Sequence, residues 1–160
     1  MTNKINVDAA LAELENGSVP QWIAEHLRVY VESGGREGHL WDSTPAGGPG
    51  LLPCLLLTTK GKRSGSPRVA PLIYGEVDGA YVIVASKGGA PESPGWYHNL
   101  VAQPEVTIQV GQEVFGARAR EADGDHRAKL WNHMVVVYPP YREYQDKTAR
   151  LIPVVELVRA

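Results

Sequence analysis

The residues of this chain best suited to chemistry fall in four short runs. Thr58-Thr59-Lys60-Gly61-Lys62-Arg63-Ser64-Gly65-Ser66-Pro67-Arg68 packs four cations, two glycines and four hydroxyls into eleven residues with no acid. Ser86-Lys87-Gly88-Gly89 is a second cationic, glycine-bearing run, and Trp96-Tyr97-His98-Asn99-Leu100 is rich in aromatic and amide groups. Tyr138, Tyr141 and Tyr144 form a stripe at three-residue spacing. Glycines let backbone N–H groups approach an anion closely, and lysines and arginines add charge and forked donors. Phenols can hydrogen-bond or donate protons. Together these runs describe a slot for a large, flat, anionic ligand. The blander reading of the first run is a solvated hairpin tip whose lysines discourage edge pairing. For the tyrosines it is a buried core edge, although Pro139-Pro140 argues against a regular helix face there.

Other standard chemistries find no support. The lysine of the first run falls between the glycines and no helix follows, so it is not a Walker A motif. His26, His39, His98, His126 and His133 show no metal-ligand spacing, and one cysteine cannot build a structural zinc site, so no metal is expected. No GxSxG elbow is present. Formal net charge is −2 over 160 residues, which makes the cations a local cluster and argues against a nucleic-acid binder. Cys54 lies in an apolar run and suits a buried thiol in a reducing compartment. Met1 to Asp8 lacks the charged start and apolar core of a signal peptide, and no stretch approaches a transmembrane span. These features place the chain in the cytoplasm.

The elements that must position these residues follow from periodicity. Residues 1–17 form a polar segment with a weak helical pattern at Ala9 to Leu14, and residues 18–160 read as one domain. Trp22, Ile23, His26, Leu27, Tyr30 and Val31 share one helix face, with Pro20 in the first turn and Gly34-Gly35 closing it. Packing on its own domain is the ordinary role for such a helix, and peripheral contact with the inner face of the cell membrane is the sharper alternative. Gly38 to Gly50 reads as a loop. Strands are expected at Leu51–Leu57, Val69–Val77, Tyr81–Ala85, Val106–Val110, Glu113–Glu121 and Ile152–Val158, with Asp78-Gly79 as a hairpin turn. Short helices are expected from Trp96, after Asp123 or Asp125, and around Tyr141. About six hairpin-linked strands with some three helices predict an α+β fold, a small antiparallel barrel with helices outside it.

Leu56-Leu57-Thr58-Thr59-Lys60-Gly61-Lys62-Arg63-Ser64-Gly65, Pro67-Arg68, Ala85 to Gly89, Trp96 to Leu100 and Tyr138-Pro-Pro-Tyr141 resemble the deazaflavin-dependent nitroreductase family of actinobacteria. The likeness runs from about Val19 to Val158 with the motifs in the same order. It implies a split β-barrel like that of flavin-binding oxidases, coenzyme F420 as cofactor, and hydride transfer from reduced F420 to a quinone or nitroaromatic. It assigns Lys62, Arg63, Ser64 and Arg68, with Val69, Ala70, Pro71, Leu72 and Ile73, to the coenzyme's phosphate and polyglutamate tail. Val84, Ala85, Ser86 and Lys87, together with Gly95, Trp96, Tyr97, His98 and Asn99, would line the ring. Tyr141 would reach ring and substrate as the catalytic candidate, helped by Tyr138 and Tyr144. Lys62 stands where an arginine is common and Lys60 where a hydroxyl is common, and both changes keep or raise positive charge. The rival readings are an FMN-dependent oxidase on the same barrel and a non-catalytic F420 carrier. Oligomeric state is left open.

Overall fold

A short run that is apolar at every position, such as Leu51 to Leu57, suits a strand covered on both faces. In the computed structural model, which describes residues 20–160 together with Ala12, both faces of that strand are covered. The expectations for residues 1–17 otherwise lie outside the described residues. Strands β1 (Leu40–Asp42), β2 (Leu51–Lys60), β3 (Pro67–Ile73), β4 (Gly75–Val77), β5 (Ala80–Val84), β6 (Glu105–Val110), β7 (Glu113–Glu121) and β8 (Val154–Arg159) form one sheet, and every pairing is antiparallel. Helices α1 (Gln21–Glu32), α2 (Gly95–Ala102), α3 (Gly124–Val137) and α4 (Pro140–Asp146) pack around it.

The sheet runs β1-β2-β6-β7-β8-β5-β4, with β3 also pairing with β2. β3 and β4 therefore lie toward opposite ends of the strip, yet only Tyr74 separates them in the chain. A strip whose ends are one residue apart must curl, which makes the sheet a half-barrel. Strand side chains alternate between faces. Leu55 and Leu57 of β2 point inward with Ile83, Ile108, Phe115, Val155 and Leu157. Cys54 and Leu56 point outward against Leu27 and Tyr30 of α1. On the opposite flank Val82, Val84 and Val154 meet Leu130 and Met134 of α3 and Tyr141 of α4.

Eight strands replace the expected six. Leu40–Asp42 pairs with Leu51–Pro53, but three residues inside a glycine-rich loop carry no alternation to betray them. The run from Val69 to Val77 divides at Tyr74, whose N–H still donates to the Pro53 carbonyl of β2 (3.1 Å) while its ring joins the inner core. The Asp78-Gly79 turn is as expected, with φ of 53° and 81°, the two positive values a type I′ hairpin demands. Pro20 caps α1 from an extended conformation and lies outside the first turn. Tyr30 fixes that helix: its hydroxyl donates to the Cys54 carbonyl (2.9 Å) and accepts from the Gly111 N–H (2.9 Å).

Candidate active site

The β2–β3 hairpin tip is built by its own hydrogen bonds. Gly61 N–H donates to the Ser66 carbonyl (2.7 Å), Gly65 N–H to the Gly61 carbonyl (2.9 Å), and Ser66 N–H to Ser64 Oγ (3.1 Å). A Cβ on Gly61 would fall 2.6 Å from Ser64 Oγ and 3.0 Å from the Ser66 carbonyl oxygen, so a side chain there would force the Ser64 hydroxyl to move and crowd the tip. Asn99 of α2 ties the tip down. Its Nδ2 donates to Thr59 Oγ1 (3.1 Å) and its Oδ1 accepts the Lys62 N–H (2.9 Å).

Between this tip, β3, the start of α2, the Lys87 turn and α1 lies a cavity of about 870 Å³. That is the size range of sites for drug-sized and cofactor ligands, about 300–1,000 Å³. Lys62, Arg63, Arg68 and Lys87 border it with Ser64, His98 and Asn99, and among the described residues no acid lines it. Its apolar wall is Ile23 and Leu27 of α1 with Val69, Ala70, Pro71 and Leu72. Pro94, Gly95 and Trp96 also border it, so the N-terminus of α2 adds its partial positive charge. Lys87 Nζ donates to Glu92 Oε1 at 3.0 Å, and both groups are exposed, so this pair contributes little stability.

Thirteen of the sequence-derived cofactor residues thus meet at one cavity: Lys62, Arg63, Ser64, Arg68, Val69, Ala70, Pro71, Leu72, Lys87, Gly95, Trp96, His98 and Asn99. Tyr97 does not border it. Its hydroxyl donates to Glu121 on β7, and burial, reinforced by that carboxylate, pushes the phenol up to about 12. Ile73, Val84, Tyr138, Tyr141 and Tyr144 lie apart from the cavity in the outer apolar cluster under α3 and α4. The Tyr141 ring is 5% exposed, edge-on to Tyr138 with centroids 4.9 Å apart, and its side chain makes no hydrogen bond among the described residues. Tyr138 and Tyr144 join hydroxyls at 2.9 Å. Burial raises the Tyr138 and Tyr141 phenols well above their ordinary value.

The two groups meet at the turn Lys87–Gly89, which leaves β5 through the buried Ala85 and Ser86. A Cβ on Gly89 would lie 2.6 Å from the Tyr144 carbonyl oxygen, so α4 packs hard against the turn. Sequence reasoning missed the residue that holds this junction. The Arg150 guanidinium donates to the carbonyls of Ala85 (3.2 Å), Ser86 (2.7 Å) and Ala90 (2.9 Å) and to Ser93 Oγ (3.2 Å). No local pattern marks an arginine so distant along the chain as its partner. Sequence reasoning also missed Ile23 and Leu27 as cavity wall, because an amphipathic stripe says only that a helix is covered.

Fold and cavity define a class: a split-barrel protein whose strand-end slot suits a large anionic ligand. Residues 22–158 match the family described as F420H(2)-dependent quinone reductase. An F420H(2)-dependent quinone reductase of Mycobacterium tuberculosis (strain H37Rv) is 43% identical over 143 residues, covering 87% of this chain and 91% of the relative. Among solved structures, an F420-H2 dependent reductase, FDR-A, is 48% identical with a TM-score of 0.61, covering 65% of this chain and 92% of the other. Another, described as a domain-swapped dimer, is 42% identical with a TM-score of 0.64, covering 86% and 97%. The chain belongs to the F420H(2)-dependent quinone reductase family. It is therefore an oxidoreductase of the α+β split-barrel type.

Proposed function

We propose that this protein reduces a quinone with reduced coenzyme F420 held in the cavity beside the β2–β3 tip, and that nitroaromatics are alternative acceptors. The observation that carries the placement is the meeting of Lys62, Arg63, Arg68 and Lys87 in a cavity that no acid lines among the described residues. The residues present fit the coenzyme, whose phosphate and glutamate tail are polyanionic. Arg63 and Arg68 grip that tail with forked donors, Lys62 adds charge, and the crowded Gly61 brings backbone close to it. When bound, reduced F420 supplies a hydride. Trp96 and the Lys87 turn orient the ring, while Leu27, Val69 and Leu72 exclude water from that side. Tyr141, the catalytic candidate of the sequence, lies apart from this cavity under α3 and α4 and is given no proton-donor role in it.

F420 and FMN are titrated by fluorescence into the wild-type protein and into Arg63→Ala and Arg68→Ala. F420 binding with FMN much weaker is expected, each substitution raising the F420 dissociation constant by about 10-fold and flattening its salt dependence. Unchanged affinity in both variants would sink the assignment, and tighter binding of FMN would favour the oxidase. Turnover with menadione separates enzyme from carrier.

The same reading gives α1 a peripheral contact with the inner face of the cell membrane, where lipid-soluble quinones reside. Trp22 is 58% exposed and stacks on Trp41 of β1 at 5.6 Å. Among the described residues no helix is long and apolar enough to cross a membrane. Sedimentation with anionic vesicles is expected to retain the wild-type protein and to lose Trp22→Ala; equal retention of both would remove α1 from the contact.

A further inference from the structure

We propose that Arg150 is a positioning residue whose guanidinium presets two backbone donors for the edge of the bound ring; the inference rests on the cofactor placement above. Arg150 does not border the cavity, yet its fork reaches three carbonyls and one hydroxyl of the segment from Ala85 to Ser93. In a trans peptide the C=O and the following N–H point in opposite directions. Drawing the Ala85 and Ser86 carbonyls toward Arg150 therefore turns the N–H groups of Ser86 and Lys87 the other way, away from Arg150, and of these two residues Lys87 borders the cavity. Among the described residues neither N–H donates to another residue.

This external hold adds to the turn's own bonds, Gly89 N–H to the Ser86 carbonyl (2.9 Å) and Ala90 N–H to the Lys87 carbonyl (3.1 Å). Lys87, Gly88 and Gly89 have φ of 46°, 64° and 85°, three successive residues in the left-handed region, and lysine adopts it only at a cost. Arg150 is itself fixed from α4. Gln145 Nε2 donates to the Arg150 carbonyl (2.7 Å), and Gln145 Oε1 accepts the Ile152 N–H (3.0 Å). A planar fork binding several carbonyls at once is work that a lysine ammonium cannot reproduce in the same geometry. The two N–H groups are then paired donors of the kind that read a carbonyl or imide edge of a flat heterocycle.

The test uses two ligands, F420 and its deazaflavin ribityl fragment lacking phosphate and tail, titrated into wild type, Arg150→Lys and Arg63→Ala. Arg150→Lys is expected to weaken both ligands by the same factor, about 10-fold, and to shift the absorption band of the bound ring; Arg63→Ala is expected to weaken F420 alone. Equal affinities and unchanged bound spectra in wild type and Arg150→Lys would overturn the Arg150 assignment while leaving the cofactor site intact. Failure of wild type to bind either ligand would overturn the site itself, and the Arg150 inference with it. Should Arg150→Lys not fold by near-ultraviolet circular dichroism, Ser93→Ala removes one acceptor of the fork. It is expected to give the same pattern at about 3-fold, and wild-type affinity for both ligands in that variant would overturn the proposal.

Discussion

Tyr141 combines a buried ring with a hydroxyl that no described residue engages. Burial raises its pKa, so below about pH 10 the phenol stays protonated and available as a donor. Because the ring lies apart from the cavity, Tyr141→Phe is expected to keep both F420 affinity and quinone-dependent oxidation of reduced F420 within about 2-fold of wild type. No phenol-linked limb is expected in the rate profile below about pH 10. A fall of about 10-fold in the stopped-flow rate would overturn this and bring the Tyr141 hydroxyl to the substrate. Asn99 shows the opposite balance, since its amide is committed on both sides to the hairpin tip and serves the site by shaping it.

At the scale of the element, the turn Lys87–Gly89 joins the cation-lined cavity to the tyrosine cluster, so its conformation is fixed from two sides. Gly89 combines a φ of 85° with a would-be Cβ 2.6 Å from backbone of α4. Gly89→Ala must strain the turn or push α4 outward, at a cost of about 1–3 kcal/mol in stability. Urea unfolding checks the size of the loss, and a parallel fall in F420 affinity is expected because the turn carries Lys87. Wild-type stability would mean that α4 yields easily. The hairpin tip and this turn were both legible in the sequence, because glycine beside cations at a strand end is a local signal. Their meeting across one cavity was not.

The whole molecule is a curled sheet covered on two flanks, and its charge pairs lie mainly outside the core. Glu156 of β8 is the exception, 4% exposed, accepting from Arg120 Nε (3.1 Å) and paired with His126 at 2.8 Å. Burial pushes its carboxyl up, but these partners outweigh it and hold the pKa below the ordinary 4.5. A lowered folded value means stability that is present above about pH 4.5 and lost as pH falls through the folded pKa. Glu156→Gln is expected to cost about 1–3 kcal/mol at pH 7 and to make the acid limb of a stability profile shallower. At the other end, the raised phenols of Tyr30, Tyr138 and Tyr141 contribute stability that is full below about pH 10 and lost as pH rises through their folded values. Denaturant midpoints across pH check both limbs; an acid limb identical in the Gln variant would remove Glu156 from it.

From the sequence alone came whatever depends on neighbours along the chain. The type I′ turn at Asp78-Gly79, the strand through Leu51–Leu57, the aromatic helix after Pro94 and the cationic hairpin tip at Lys60–Arg68 are all local in origin, set by φ preferences, period and charge. Tertiary structure alone decided what depends on partners distant in sequence. Closure through Tyr74 brings β3 round to the Lys87 turn, α1 becomes a wall of the cavity through Ile23 and Leu27, and Arg150 reaches back to Ala85 and Ser86. The reason is physical: a turn or a strand is selected by steric and solvation terms acting over a few residues, whereas an arginine fork is selected by carbonyls that only the folded sheet assembles.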